Sequence, residues 1–275
     1  MKLHLGKIEK LALIRREWRK AFDEVTTGEA FLKIAKGSIT QAEYAALLRQ
    51  SFHQFREHPQ AFSRLASKLK GENRVMVKTM MRHAIFETGH EQLAADDLKV
   101  MDEDVTYLPI ERPLPETAAL LAMMYYFLDY QNPLSFLGYV FHLETAPKVM
   151  GTSLIQALTK AGIAREARTF IQGNAGVDIG QAPAAEDYID ALVQTQDDLE
   201  SVIYGARVST RIYGAMVSAA FQSAVTKPTY GFDRREMDLN FDLPSLVESA
   251  RANAGLSHRA HSAKAQMSTG PAANE

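Results

Sequence analysis

The 275-residue chain contains no cysteine. That excludes disulfides, zinc–thiolate sites, iron–sulfur clusters and a cysteine nucleophile. It has no excess of either charge: 31 Lys and Arg against 33 Asp and Glu leave a formal charge of −2. Such a chain offers no basic footprint to nucleic acid or to an anionic membrane. No window reaches the roughly 18 uncharged apolar residues that a membrane span requires. Charges interrupt every apolar run in Met1-Lys2-Leu3-His4-Leu5-Gly6-Lys7, so no signal-peptide core is expected there. Also missing are a strand–elbow–helix context for a hydrolase serine and a glycine-rich phosphate loop after a strand. The expectation is a cytoplasmic protein with neither nucleic acid nor membrane as partner.

What the chain has is ordinary globular composition, 46% apolar and 23% charged, in a length that buries a sizeable core. Its periodicity is helical throughout. Ile8, Leu11, Leu13, Ile14, Trp18 and Phe22 recur at helical spacing over 7–24. A short helix over 29–36 stops at Gly37. Thr40 followed by Glu43 is a capping box, which starts a helix running from Gln41 to about His58. Pro59 kinks or restarts it, and 60–70 continues to Gly71. One long helix is expected over roughly 73–99. The acidic and proline-rich stretch 101–115 reads as an ordered loop between two halves of a bundle. Further helices are expected over 116–130, 134–161, 163–181, from Pro183 onward, and 196–225. No strand pattern or repeat appears. The pattern is all-α, with seven to eight helices in a single domain over 1–226 and a C-terminal extension over 227–275, disordered from about 250.

The stretch His83 to Asp97 carries the chemistry. On a helix, His83, Glu87 and His90 share one face at offsets of four and three residues. A Glu-x-x-His unit is what helical bundles use to hold two iron or manganese ions. A ferritin-type bundle needs a second such unit, and none is found. Glu144 lies in the apolar run Tyr-Val-Phe-His-Leu-Glu-Thr-Ala, where a charge is costly unless paired or metal-bound. The two alternatives, ion pair and ligand, stand level. Glu57 has His53 four residues before it, but Arg56, Glu57, His58 and Pro59 also read as a solvated helix end. Asn174 and Asp178 stack one turn apart, although a capped, water-facing Asp178 is the plainer reading. His142, two residues from Glu144, cannot share its face and reads as structural.

Thr-Gly-Glu-Ala-Phe-Leu-Lys-Ile-Ala-Lys-Gly-Ser-Ile-Thr (27–40), Phe-Arg-Glu-His-Pro, Glu-Thr-Gly-His-Glu-Gln-Leu-Ala-Ala-Asp-Asp-Leu and Gly-Tyr-Val-Phe-His-Leu-Glu-Thr-Ala follow one another in the chain. Together they resemble the haem-oxygenase-like superfamily over about 10–225. In order and spacing they are most similar to its diiron oxidases, also described as iron-containing redox enzymes. The resemblance implies a haem-oxygenase-like helical bundle that binds ferrous iron as a dinuclear centre, and no haem. It implies ligands at Glu57, Glu87, His90, Glu144 and Asp178; His83, one turn before Glu87, reads as an outer-shell partner or a supplementary ligand, and His53 as an outer-shell partner. The family's last motif, His-x-x-x-Asp, here reads Asn174-x-x-x-Asp178, and a histidine common in relatives is Gln181. Asn174 is a weaker iron ligand than imidazole, which places the second metal position in doubt. The implied activity is oxidation of a small organic substrate, fatty-acid- or amino-acid-like, by dioxygen. The alternative is a metal-free protein of the same fold that binds a small molecule or partner, or a cofactor-independent oxidase. No axial histidine near Phe22 supports a haem oxygenase proper, and thiaminase-type relatives use a cysteine that is missing. A homodimer through flat helix faces is among the expected states.

Overall fold

Thr40 and Glu43 cap each other as the sequence predicts: the Thr40 hydroxyl accepts from the Glu43 amide and the Glu43 carboxylate accepts from the Thr40 amide. The helix they start, α3, is one of a series that accounts for nearly all of the fold. The computed structural model describes residues 3–172 and 185–225. The helices are α1 (Lys7–Thr26), α2 (Glu29–Lys36), α3 (Gln41–Phe55), α4 (His58–Lys68), α5 (Val77–Glu87) and α6 (His90–Val100). They continue as α7 (Pro115–Tyr130), α8 (Ser135–Lys160), the single turn α9 (Thr169–Gln172), α10 (Ala185–Leu192) and α11 (Gln196–Ser223). Short 3₁₀ turns lie at Gly71–Met76, Leu108–Ile110 and Arg165–Arg168. There is no β-strand among the described residues, and no described helix is long and apolar enough to cross a membrane. The expected extension 227–275 lies outside the described residues.

The all-α expectation holds, with slightly more helices than seven or eight. One reason is that the helix expected over 73–99 does not exist as such. Gly71–Met76 is a 3₁₀ turn, and α5 ends at Glu87. Gly89 then adopts φ +92°, a left-handed conformation that glycine takes without steric cost, and α6 restarts at His90. The helix expected from Gln41 to His58 also stops early, at Phe55.

α11 runs through the bundle against α8, α1, α7 and α3. Its closest approach is to α8, where Gly205 meets the backbone of Ser135 and Gly138 meets that of Val202 and Ala206. Around this crossing the core is aromatic: Trp18 stacks on Phe22 at 4.6 Å, and Phe141 meets Trp18 edge-on at 6.2 Å. His142 is fully buried and structural, as expected. Its Nδ1 accepts from Trp18 Nε1 at 3.1 Å, which leaves the proton on Nε2, a buried atom with no partner.

Two polar anchors fix the periphery. Arg49 of α3 binds Glu103, Glu111 and the carbonyl of Asp104, so the 101–115 loop is ordered, as its sequence suggests. Asp97 of α6, fully buried, accepts from the amides of Thr169 and Phe170 and from the Thr169 hydroxyl. Removing that carboxylate takes the acceptor from three hydrogen bonds at once. Asp97→Ala is expected to lower stability by about 3 kcal/mol, read from thermal unfolding.

Buried histidines set the acid limb of stability. Burial first, then the charges of Arg56 and Arg49, push His53 down from 6.5 to about 4. Burial pushes His142 down to about 3. Below pH 6.5 the unfolded chain takes up protons that the folded chain refuses, so stability is full above that value and falls as pH drops toward 4. The His53 contribution is about 3 kcal/mol across this window. Denaturant midpoints should fall between pH 7 and pH 5, and His53→Leu should flatten the dependence. A midpoint independent of pH in this range would contradict the burial of both rings.

Candidate functional site

Glu87 is the centre of a buried cluster of imidazoles. His83, one turn earlier on α5, places Nε2 3.2 Å from Glu87 Oε1. His90 places Nδ1 3.3 Å from Oε2. The Glu-x-x-His pair is therefore made across a helix break, with Glu87 the last residue of one helix and His90 the first of the next. A third ring, His58, places Nδ1 3.0 Å from the same Oε2. Burial alone would raise Glu87, but hydrogen bonds from His58, His83 and His90 hold its carboxyl well below the usual range. It is an ionised acceptor, so each facing imidazole nitrogen donates.

The outer nitrogens of the two buried rings are also engaged. His58 Nε2 lies 2.7 Å from the Tyr139 hydroxyl, which accepts in turn from Gln54 Nε2 at 2.8 Å. His83 Nδ1 lies 2.7 Å from the Tyr188 hydroxyl. Five side chains from α4, α5, α8 and α10 thus form one line: Tyr139, His58, Glu87, His83, Tyr188. Phe62 stacks on His83 with centroids 4.0 Å apart, and Phe55 lies 4.4 Å from His58. His90, with 30% of its side chain exposed, connects the cluster to solvent, and its hydrogen bond to Glu87 raises its pKa.

The other expected residues divide. Glu144 is partly buried and accepts from the Ala185 amide at 2.9 Å, at the start of α10. Burial raises its carboxyl; burial first, and then the charges of Glu144 and Glu87, raise Tyr188. Among the described residues its hydrogen-bond partner is a backbone N–H, and no Lys or Arg pairs with it. Glu57 is outside the cluster: it is the N-cap of α4, where it accepts from the Tyr125 hydroxyl at 2.8 Å. His53 is not its helical partner, because α3 ends between them; His53 is buried against Phe52, and its Nδ1 has no partner. Asn174, Asp178 and Gln181 lie outside the described residues.

His58 is the member of this cluster that the sequence reading passes over as surface. The signal was Pro59. Proline in the first turn restarts a helix rather than kinking one, which makes Glu57 the cap and turns His58 inward.

The profile of a family described as "Iron-containing redox enzyme" matches residues 45–214, which hold this whole cluster. The chain belongs to the iron-containing redox enzyme family. Solved structures agree on the fold. A domain of unknown function with a heme oxygenase-like fold from Shewanella denitrificans is 19% identical with TM-score 0.73, covering 80% of this chain and 96% of its own. A TenA homologue from P. horikoshii is 12% identical with TM-score 0.63, covering 78% and 98%. A TenA homologue from Pseudomonas syringae is 12% identical with TM-score 0.64, covering 78% and 93%. No curated protein matches the sequence significantly.

The family's description implies iron. The donors around Glu87 suit ferrous iron in kind, being imidazole nitrogen and carboxylate oxygen. Among the described residues, however, no group of three or more His, Asp or Glu side chains stands ready as a cage. The cluster is closed on Glu87 by hydrogen bonds, so an ion would have to displace the protons that those bonds share.

Proposed function

We propose that this protein is an iron-dependent oxidoreductase that uses dioxygen to oxidise a small organic substrate, fatty-acid- or amino-acid-like. The observation that carries the reading is the Glu87–His90 pair. It lies in the family-matched region, and its donor atoms are 3.3 Å apart in an imidazole-rich cluster. Glu87 and His90 would hold the metal, with Glu144 and Asp178 as further carboxylates and Asn174 a weak donor at the second position. Ferrous iron, when bound, supplies the one-electron chemistry toward dioxygen that no side chain here can supply. The protein's part is to keep Glu87 ionised through its imidazole partners, to fix His58 and His83 by tyrosine hydroxyls, and to exclude water with Phe55 and Phe62.

A second reading is a metal-free binding protein or cofactor-independent oxidase in the same fold. It is favoured by Asn174 and Gln181 standing where the family carries imidazoles.

Reconstitution with ferrous iron without oxygen, followed by metal analysis and exposure to oxygen, separates the two. Near two equivalents with a transient visible absorption supports a dinuclear oxidase, and near one equivalent supports a single position. No retained iron overturns the metal reading. If the missing imidazole weakens the second position, Asn174→His should raise iron affinity.

A further inference from the structure

We propose that Tyr139 and Tyr188 are one-electron donors, each giving its phenolic proton to the histidine beside it as the electron leaves. The role rests on the reading above, in which the protein generates an oxidant from dioxygen, and names the side chains that supply electrons to it.

The arrangement is a pair of triads that share one carboxylate. Glu87 holds His58 through Nδ1 at 3.0 Å and His83 through Nε2 at 3.2 Å. The opposite nitrogens, His58 Nε2 and His83 Nδ1, each lie 2.7 Å from a phenol, Tyr139 and Tyr188 respectively. Ionised Glu87 only accepts, and a neutral ring that donates inward presents its lone pair outward. Each phenol therefore donates to an imidazole base that a carboxylate orients from behind, the geometry of a nucleophile–histidine–carboxylate triad. On the Tyr139 side the same polarity follows independently. Gln54 Nε2 donates to the phenol oxygen at 2.8 Å, which leaves the phenol hydrogen for His58.

Access decides what such triads can do. Tyr139 and Tyr188 are fully buried, and a phenol that no substrate reaches cannot serve as nucleophile or general acid. Electron transfer needs no contact. The electron cannot leave from a phenolate, because burial raises Tyr139, and burial followed by the charges of Glu144 and Glu87 raises Tyr188. Electron and proton must therefore leave together. The phenol O–H bond breaks, an N–H bond forms on the facing imidazole, and one electron passes to the dioxygen-derived oxidant, which is reduced by one equivalent. A neutral tyrosyl radical and an imidazolium remain. The imidazolium lies against ionised Glu87, whose opposite charge stabilises it in this buried setting.

Packed rings also connect the two phenols. Tyr139 stacks on Phe136 at 5.6 Å, and Phe136 meets Phe62 edge-on at 5.2 Å. Phe62 stacks on His83 at 4.0 Å, and the His83 ring lies 5.6 Å from that of Tyr188. The chain has no thiol to compete as a donor, and its one tryptophan, Trp18, is bound to His142 instead.

The test uses the full metal-free chain, oxidised by flash-generated tris(bipyridine)ruthenium(III) and frozen for electron paramagnetic resonance. Exposed Tyr126 and Tyr130 will be oxidised too, but they lose the proton to water and decay by coupling between molecules. A long-lived tyrosyl signal should outlast them. With ¹⁵N-labelled histidine and solvent D2O, that radical should couple to an exchanged deuteron and to a ring nitrogen. Tyr139→Phe and Tyr188→Phe should each remove part of the long-lived signal, and the double variant all of it. Phenylalanine keeps the ring packing, and thermal unfolding shows whether each variant is folded. No long-lived signal in the parent, one without coupling to a histidine nitrogen, or one that persists in the folded double variant overturns the assignment. The couplings are read on the unaltered protein, so they decide the matter even if a variant fails to fold. No iron enters this measurement. Its failure leaves the functional proposal standing, whereas failure to retain iron on reconstitution removes the oxidant and not the donors.

Discussion

Gly205→Ala is expected to abolish stable folding, or to leave a protein destabilised by at least about 3 kcal/mol, the upper range for overpacking. A methyl group at Gly205 would overlap the backbone carbonyl of Ser135, and one at Gly138 would overlap the backbone of Ala206 and Val202. Overlap with a flexible side chain can be relieved by a rotamer change. Here backbone meets backbone, so α8 and α11 must move apart. Since α11 also packs on α1, α7 and α3, that movement would open the core along several faces at once. Gly71→Ala is the informative contrast. Gly71 has φ +56° but nothing within 4 Å of the added carbon, so only the backbone conformation opposes the change, at about 1 kcal/mol. Expression level, helical circular dichroism and thermal midpoint of the two variants check the ranking. Equal midpoints would mean that the α8–α11 crossing is looser than the structure has it.

Glu87→Ala is expected to cost 3–5 kcal/mol at pH 7, about what breaking a buried charged network costs. Three imidazoles lose their common acceptor, and two of them are buried where water cannot replace it. Glu87→Gln keeps the shape but removes the charge, and its amide can accept through only one atom. Its loss should be smaller but still measurable. The sign of the pH dependence follows from the lowered carboxyl. Stability from an ionised Glu87 is present above the unfolded value of 4.5 and is lost as pH falls toward the depressed folded value. The parent should therefore gain over the Ala variant most clearly above pH 5. His90 acts on the other side. Its raised pKa contributes stability below 6.5 that is lost as pH rises through the folded value, and it loses that contribution without Glu87. Urea denaturation of parent and variant from pH 5 to 8.5 measures both. A Glu87→Ala protein as stable as the parent throughout would show that the cluster holds nothing together.

Much of the fold was legible because local rules set it. Thr40 and Glu43 cap α3, Gly37 closes α2, and the boundaries at Gln41, Pro115 and Gln196 follow from caps and prolines that act within one turn of chain. The pairing of His83 with Glu87 also followed from helical spacing, since both lie in α5. The pairing of Glu87 with His90 was expected for the wrong geometric reason. An unbroken helix would bring them together, but they meet across the break that Gly89 makes between two helices. Glu57 shows a different limit of local reading. Its neighbours read as a solvated helix end and only the resemblance makes it a ligand; Pro59 makes it the cap of α4 and sends His58 inside.

From the sequence alone came an all-α bundle, the exclusion of thiolate chemistry, and the Glu-x-x-His unit in the stretch from His83 to Asp97. These depend on composition and on contacts within a turn or two. Only the tertiary structure decided that His58 joins Glu87, that Tyr139 and Tyr188 hold the outer nitrogens, and that Glu144 faces a backbone amide. These contacts join residues 29 to 105 positions apart. No local pattern encodes such pairs, because which helix faces meet is settled by close approaches such as Gly138 against α11.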